Sequence, residues 1–286
     1  MRNFHYPGRS TVHTKEGMVA TSHPIAAGVA LESLKNGGNA VDAALAAALV
    51  MPLCEPHMTG LYGDMFALVK DKGQSKIFGL NASGKSPKNI APASERLKGL
   101  QKIPLNSPIA VTLPGAISGF EVLANDHSNL GLGVACEPAI HYAQEGIPVS
   151  PRVALDWSRN AHVLSGCARK HYLINGKPPN AGEIFKFPMQ AKILKLIAKN
   201  GAKGFYEGEV AEDIICSLKK LGGKHSFNDL SSVSCNYVKP LSANYGNIEL
   251  IELPPNGQGA TALLMGKILA NFNLQKLNPF GAERTH

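Results

Sequence analysis

The sequence predicts an α+β layered sandwich, with helices outside antiparallel sheets, and three observations carry that prediction. Two hairpin signals stand out: residues 65–70 with 75–80 around a Lys72-Gly73 turn, and residues 237–243 with 247–253 around a Tyr245-Gly246 turn. Helical patterns fill long blocks before, between and after them. The strands do not alternate with helices in the regular way that parallel βαβ units require. With 286 residues, 44% of them apolar, the chain can bury a sizeable core, and residues 1–286 read as one domain.

Taken in order, residues 17–22 read as a short strand. HPIAAGVALESLKNGG then has the apolar spacing of a helix, with Gly37-Gly38 as its stop. Asn39 is placed to N-cap a second helix, NAVDAALAAALVM, whose alanines favour helix and close packing; Pro52 and Pro56 are expected to end it. The first hairpin follows. From residue 115 to 220 helices dominate, in GAISGFEVLAN, EPAIHYAQEG, PRVALDWSRNAHVL, PMQAKILKLIAKNG and EGEVAEDIICSLKKLGG, with a connector rich in Pro and Gly at 175–188. After the second hairpin, PPNGQG leads into a helix over 260–271. The final LNPFGAERTH reads as the lead-in to another helix, so the chain is expected to stop short of a further segment.

Composition narrows the function. The 29 Lys+Arg against 21 Asp+Glu give +8, but the basic residues are dispersed, as at Lys219-Lys220 and Arg169-Lys170-His171, with no aromatic-interleaved stripe; nucleic acid is not an expected partner. Five widely separated cysteines show no CxxC spacing, and reduced thiols are the simplest reading. Residues 1–15 lack the apolar core of a secretory signal, and the longest apolar stretch, 43–51, is far below the roughly 20 residues that span a bilayer, so a cytoplasmic protein without membrane association is expected.

The familiar catalytic patterns GxSxG and HExxH are absent from the sequence. GLYGDM (60–65) and LNASGKSP (80–87) are glycine-bearing turns beside strands, able to bring backbone amides to a ligand or simply to turn the chain. His23, His57 and Asp64 suit structural roles, and one His per segment gives no metal spacing. Lys85 near Ser83 is a candidate carboxylate site, since an ammonium and a hydroxyl can both donate to an oxygen anion; a solvated loop lysine is the alternative. PPNGQG sets an amide pair between a strand end and a helix start, where it can bind an anion, or Asn256 can cap the helix.

The ordered set GMVATSHPIAA, GGNAVDAALAAALV, EPHMTGLYGDMFALV, LNASGKSP, TLPGAISGFEVL, FYEGEVAEDI and IELPPNGQGATALL resembles the gamma-glutamyltransferase family over essentially the whole chain. It is most similar to a cytoplasmic-type branch that opens with a PGRS-type segment, here residues 7–10. The resemblance implies an αββα four-layer sandwich of the N-terminal-nucleophile hydrolase type, of which this chain is the large-subunit part and therefore incomplete. It implies a precursor that cleaves itself to free a threonine, at the head of a small subunit, that serves as both nucleophile and base. No metal or other cofactor is then needed. That threonine is expected beyond His286, so this chain carries no catalytic residue of its own, and its partners are the small subunit and a small gamma-glutamyl or other acyl amide. In the family a large-subunit arginine in an REMAP-like loop pairs with the donor's α-carboxylate. Aligning on Pro87 places Ser83 there with Lys85 as the nearest cation, making Asn81, Ser83 and Lys85 the substrate-binding candidates. Lysine supplies the charge without the bidentate fork, which leaves a cephalosporin- or glutaryl-acylase-like amidase, or an inactive remnant acting as a binding module, as alternatives.

Overall fold

The computed structural model describes residues 11–97 and 99–286; the PGRS segment at 7–10 lies outside the described residues. Residues 17–22, expected to be a strand, join no ladder among the described residues and end in a bend at Ser22. An extended segment becomes a strand only when a neighbour takes its N–H and C=O groups. Helix α1 (Pro24–Lys35) starts where His23 Nδ1 accepts the Ile25 N–H at 3.3 Å and Pro24 fills the first turn, so the structural role of His23 is that of a cap. Gly37, at φ +91°, then turns the chain into α2 (Ala40–Cys54).

Helix α2 opens with a capping box: Asn39 Oδ1 accepts the Val41 and Asp42 N–H groups at 2.8 and 3.2 Å, and Asp42 Oδ2 accepts the Asn39 N–H at 2.8 Å. Pro52 does not end this helix, contrary to expectation. It sits in the last turn, where its missing N–H removes a single bond and its ring is buried in the core. Asp42 reaches further, accepting the Asn129 and Leu130 N–H groups at 2.9 Å each and the Ser128 hydroxyl. Burial raises the pKa of this carboxyl, but the hydrogen bonds from Ser128, Asn129, Asn39 and Leu130 outweigh it and hold Asp42 below the usual carboxylate range.

Strands β1 (Met65–Lys70) and β2 (Ile77–Ala82) pair antiparallel from Met65↔Ala82 to Lys70↔Ile77. The second strand lies two residues later than predicted, which brings Asn81 and Ala82 into the ladder. After α3 (Pro92–Leu97) comes α4 (Ala116–His127), then α5 (Gly131–Glu145). Helix α5 starts well before the predicted EPAIHYAQEG and contains Pro138, because Leu132, Ala135 and Cys136 extend the buried face that Ala139 and Ala143 continue. Packing here overrides a local helix breaker.

A ribbon of β3 (Ile147–Pro148) and β4 (Ile184–Phe185) brackets α6 (Pro151–Asn160) and α7 (Gly166–Tyr172), around a small core of Val149, Val153, Trp157 and Phe185. Helices α8 (Pro188–Asn200), α9 (Lys203–Tyr206), α10 (Gly208–Lys220) and α11 (Phe227–Ser231) follow. The predicted strand 237–243 is in fact two. Strand β5 (Asn236–Val238) joins β2, and β6 (Leu241–Tyr245) pairs instead with β7 (Ile248–Glu252). Pro240 lies between them and has no N–H with which to continue a ladder. Helix α12 (Gly259–Leu269) packs on that hairpin, and α13 (Ala282–Thr285) is the last element.

Helices α1, α2, α5 and α8 pack side by side as one layer, and α4 bridges this layer to the sheet β2 shares with β1 and β5. The main core fills the space between, with Leu45, Leu49, Ile117, Leu194, Ile197 and Ile215 almost fully buried. Strand β1 alternates half-buried and exposed residues, leaving Phe66 and Leu68 on the open face. One helical layer and one sheet of a layered α+β sandwich are thus in place.

Candidate functional site

Four loops converge at the end of β2. Gly63 O accepts the Gly115 and Ala116 N–H groups at 2.9 Å each, Asp64 Oδ1 accepts the Gly84 N–H at 2.7 Å, and Lys85 O accepts the Leu113 N–H at 2.9 Å. Asp64 therefore does have a structural role: it clamps the LNASGKSP loop to the GLYGDM loop. The stacking is close. A Cβ on Gly84 would lie 1.6 Å from Leu113 O, and one on Gly115 would lie 2.1 Å from Ala82 O, so neither position has room for a side chain.

The TLPG segment is held from behind by Tyr206, whose hydroxyl donates to Pro114 O at 2.7 Å and accepts the Ser118 N–H at 3.0 Å. Burial pushes this phenol's pKa up, so it remains a donor. Beyond Pro87, the Lys88 N–H donates to the buried Asp229 Oδ1 at 3.1 Å. Burial raises the Asp229 pKa, yet its hydrogen bonds with Ser226 and Lys88, and the nearby His225, bring the net shift below the usual range.

On this frame lie the three predicted substrate residues. Asn81 Oδ1 accepts the Ser83 N–H at 2.9 Å, and Asn81 Nδ2 donates to Asn256 Oδ1 at 2.9 Å. Ser83 is half-buried; Lys85 is exposed and forms no ion pair among the described residues. Asn81, Ser83, Lys85 and Asn256 line one recess of about 420 Å³, together with Ser234 and with Asn236, which is Asn81's neighbour across the β2–β5 ladder. Asn256 is not the N-cap of α12, a position that Gln258 occupies; its side chain is spent on Asn81. Its position between a strand end and a helix start was the signal in the sequence, but its partner, 175 residues away, was not. Ser234 and Asn236 carry no motif and were missed.

His57 lies apart from this recess, with Nε2 3.6 Å from Asp156 Oδ2, which the Arg152 Nε also contacts at 2.5 Å. Among the described residues no cluster of three or more His, Cys, Asp or Glu side chains comes together as metal ligands. No helix among them is long and apolar enough to cross a membrane.

Helical layer, antiparallel sheet and loop-lined recess have the architecture of the αββα N-terminal-nucleophile hydrolases, of which the chain holds the large-subunit portion. Residues 26–286 match the Gamma-glutamyltranspeptidase family model, and the chain belongs to that family. The Glutathione hydrolase-like YwrD proenzyme of Bacillus subtilis (strain 168) is 33% identical over 281 residues, which cover 97% of this chain and 53% of the relative. The cephalosporin acylase from Bacillus halodurans is 36% identical with a TM-score of 0.89, over 99% of this chain and 54% of that one. Helicobacter pylori gamma-glutamyltranspeptidase gives the same TM-score, 0.89, at 27% identity, over 97% and 81% of the two chains. The chain spans about half the length of the curated relatives it matches.

Proposed function

We propose that this chain, as one domain, is the large-subunit part of a glutathione hydrolase-like amidase that works in the cytoplasm and transfers acyl groups from gamma-glutamyl amides to water or amines. The observation that carries this reading is the Asn81–Asn256 hydrogen bond, which closes a polar recess from two of the motifs that resemble the family, with the Lys85 ammonium at its edge. Relatives described as proenzymes support a cleaved precursor whose small subunit brings the nucleophile.

In this mechanism a threonine at the new N-terminus of the small subunit attacks the acyl carbon, its own α-amino group taking the hydroxyl proton. The amine leaves with that proton, and water or a second amine then resolves the threonine ester. The residues of this chain bind and orient: Lys85 pairs with the donor's carboxylate, and Ser83 and Asn81 complete the wall as hydrogen-bonding groups. No metal or organic cofactor takes part, and the chain alone is inactive.

The test is a completed precursor, in which substitution of the leading small-subunit threonine abolishes both self-cleavage and amine release from a γ-glutamyl anilide. Retained cleavage would overturn the mechanism. Lys85→Ala should raise KM for carboxylate-bearing donors about 10- to 100-fold, the value of one charge-assisted hydrogen bond, and leave neutral donors unaffected. A second reading rests on Ser83, which stands where gamma-glutamyl-specific relatives are expected to carry arginine, and on the 36% identity to a cephalosporin acylase. On that reading the donor is another acyl amide, and Lys85→Ala changes KM equally for charged and neutral donors.

A further inference from the structure

A larger cavity, of about 830 Å³, opens between residues 57–63 and helices α8 and α10. Its volume lies in the range of roughly 300–1,000 Å³ typical of small-molecule sites. No residue lines both it and the Asn81–Asn256 recess. The walls are apolar, built from Leu61, Phe187, Ile193, Leu196, Phe205 and Ile214. At the rim Lys192 and Glu209 neutralise one another through a 2.6 Å contact, and the exposed Asp213 adds one negative charge that disfavours an anionic guest.

The polar groups of this wall are unusual. Five buried side-chain polar atoms lack a hydrogen-bond partner among the described residues, and three of them, His57 Nδ1, the Tyr62 hydroxyl and Gln190 Nε2, belong to residues lining this one cavity. A buried donor without an acceptor costs free energy that an acceptor on a guest recovers. Gln190 is 5% exposed, and its amide nitrogen can only donate. Burial pushes the Tyr62 phenol up to about 12, so it too offers a proton at neutral pH.

We propose that this cavity binds an uncharged, largely apolar small molecule bearing a carbonyl oxygen, which takes hydrogen bonds from the Tyr62 hydroxyl and the Gln190 side-chain amide. The walls select an apolar body, the rim rejects an anion, and the two donors select an acceptor. Both donor atoms are themselves buried, so each side chain must turn into the cavity to reach the guest.

Acetanilide is a suitable probe, and N-ethylaniline is its counterpart without the carbonyl, uncharged at neutral pH. Titration of the purified chain, followed by saturation-transfer and amide chemical-shift NMR, should show acetanilide binding with shifts at Leu61, Tyr62, Gln190 and Ile193 and none at Gly84 or Asn256. Tyr62→Phe and Gln190→Met should each weaken acetanilide about three- to tenfold, the value of one hydrogen bond, and leave N-ethylaniline unchanged. Leu196→Trp, which fills the cavity, should abolish binding of both. The proposal is overturned if acetanilide does not bind, if its shifts fall at Gly84 and Asn256, or if the Tyr62 and Gln190 variants bind it as the parent does. The shift map and the two polar variants decide the matter even if the tryptophan variant fails to fold.

Discussion

The α2–α5–α8 layer and the C-terminal β6–β7–α12 unit use similar residues to opposite effect. In the layer, Leu49, Leu194 and Ile197 are completely buried, and each helix is covered by its neighbours. In α12, GATALLMGKIL is apolar on nearly every side, the composition of a buried helix, yet β6 and β7 cover only one side of it. Leu264, Met265 and Ile268 are 59%, 57% and 52% exposed. Apolar content alone therefore does not locate stability; coverage does. The helical layer should carry the folding free energy of this chain, and the C-terminal unit should contribute little until something covers it.

The sharpest way to break this contrast is a matched pair of truncations. Leu49→Ala should cost about 2–5 kcal/mol, as deletions in a closed core do, whereas Ile268→Ala should stay within about 0.5 kcal/mol. Urea unfolding of both variants measures this, and equal losses would refute the contrast. A smaller effect, about 1–3 kcal/mol, is expected for Asp42→Ala, which strands the Asn129 and Leu130 amides that join α2 to α5.

Acid should act through the same groups. The folded-state pKa values of Asp42 and Asp229 are both depressed, so their stabilisation is fully present above the unfolded carboxylate value of about 4 and is lost as pH falls through the folded values. Urea midpoints measured from neutral to acidic pH should fall below pH about 4, less steeply in Asp42→Asn. The smallest effect on stability, though a visible one on solubility, is expected for Ile268→Ser, which should reduce light scattering in concentrated solutions without moving the urea midpoint.

Much of this molecule was legible in its sequence because the signals were local. Asn39 ahead of an alanine-rich run announces the N-cap of α2, and Lys72-Gly73 between two β-rich runs announces the first hairpin. What was misread depends on partners remote in the chain. Residues 17–22 have strand-like residues but no ladder; Pro138 is tolerated in α5 because α2 and α8 pack against that helix. At Pro240 the misreading was local instead, since the missing N–H was sufficient reason to divide the strand. The site divides the same way. Asn81, Ser83 and Lys85 stood out as a loop motif, whereas the Asp64–Gly84 clamp and the Asn81–Asn256 contact require the folded chain.

The zero clearance at Gly84 separates what this site can change from what it cannot. Positions 83 and 85 line the recess, Ser83 half-buried and Lys85 exposed, so donor preference is open to drift or design there. Position 84 admits glycine alone, because the carbonyl of Leu113 already occupies the space a side chain would need. A library aimed at new acyl donors should therefore randomise Ser83 and Lys85 together, on either side of an unchanged Gly84. Its folded yield should be set by whether residue 84 was left untouched.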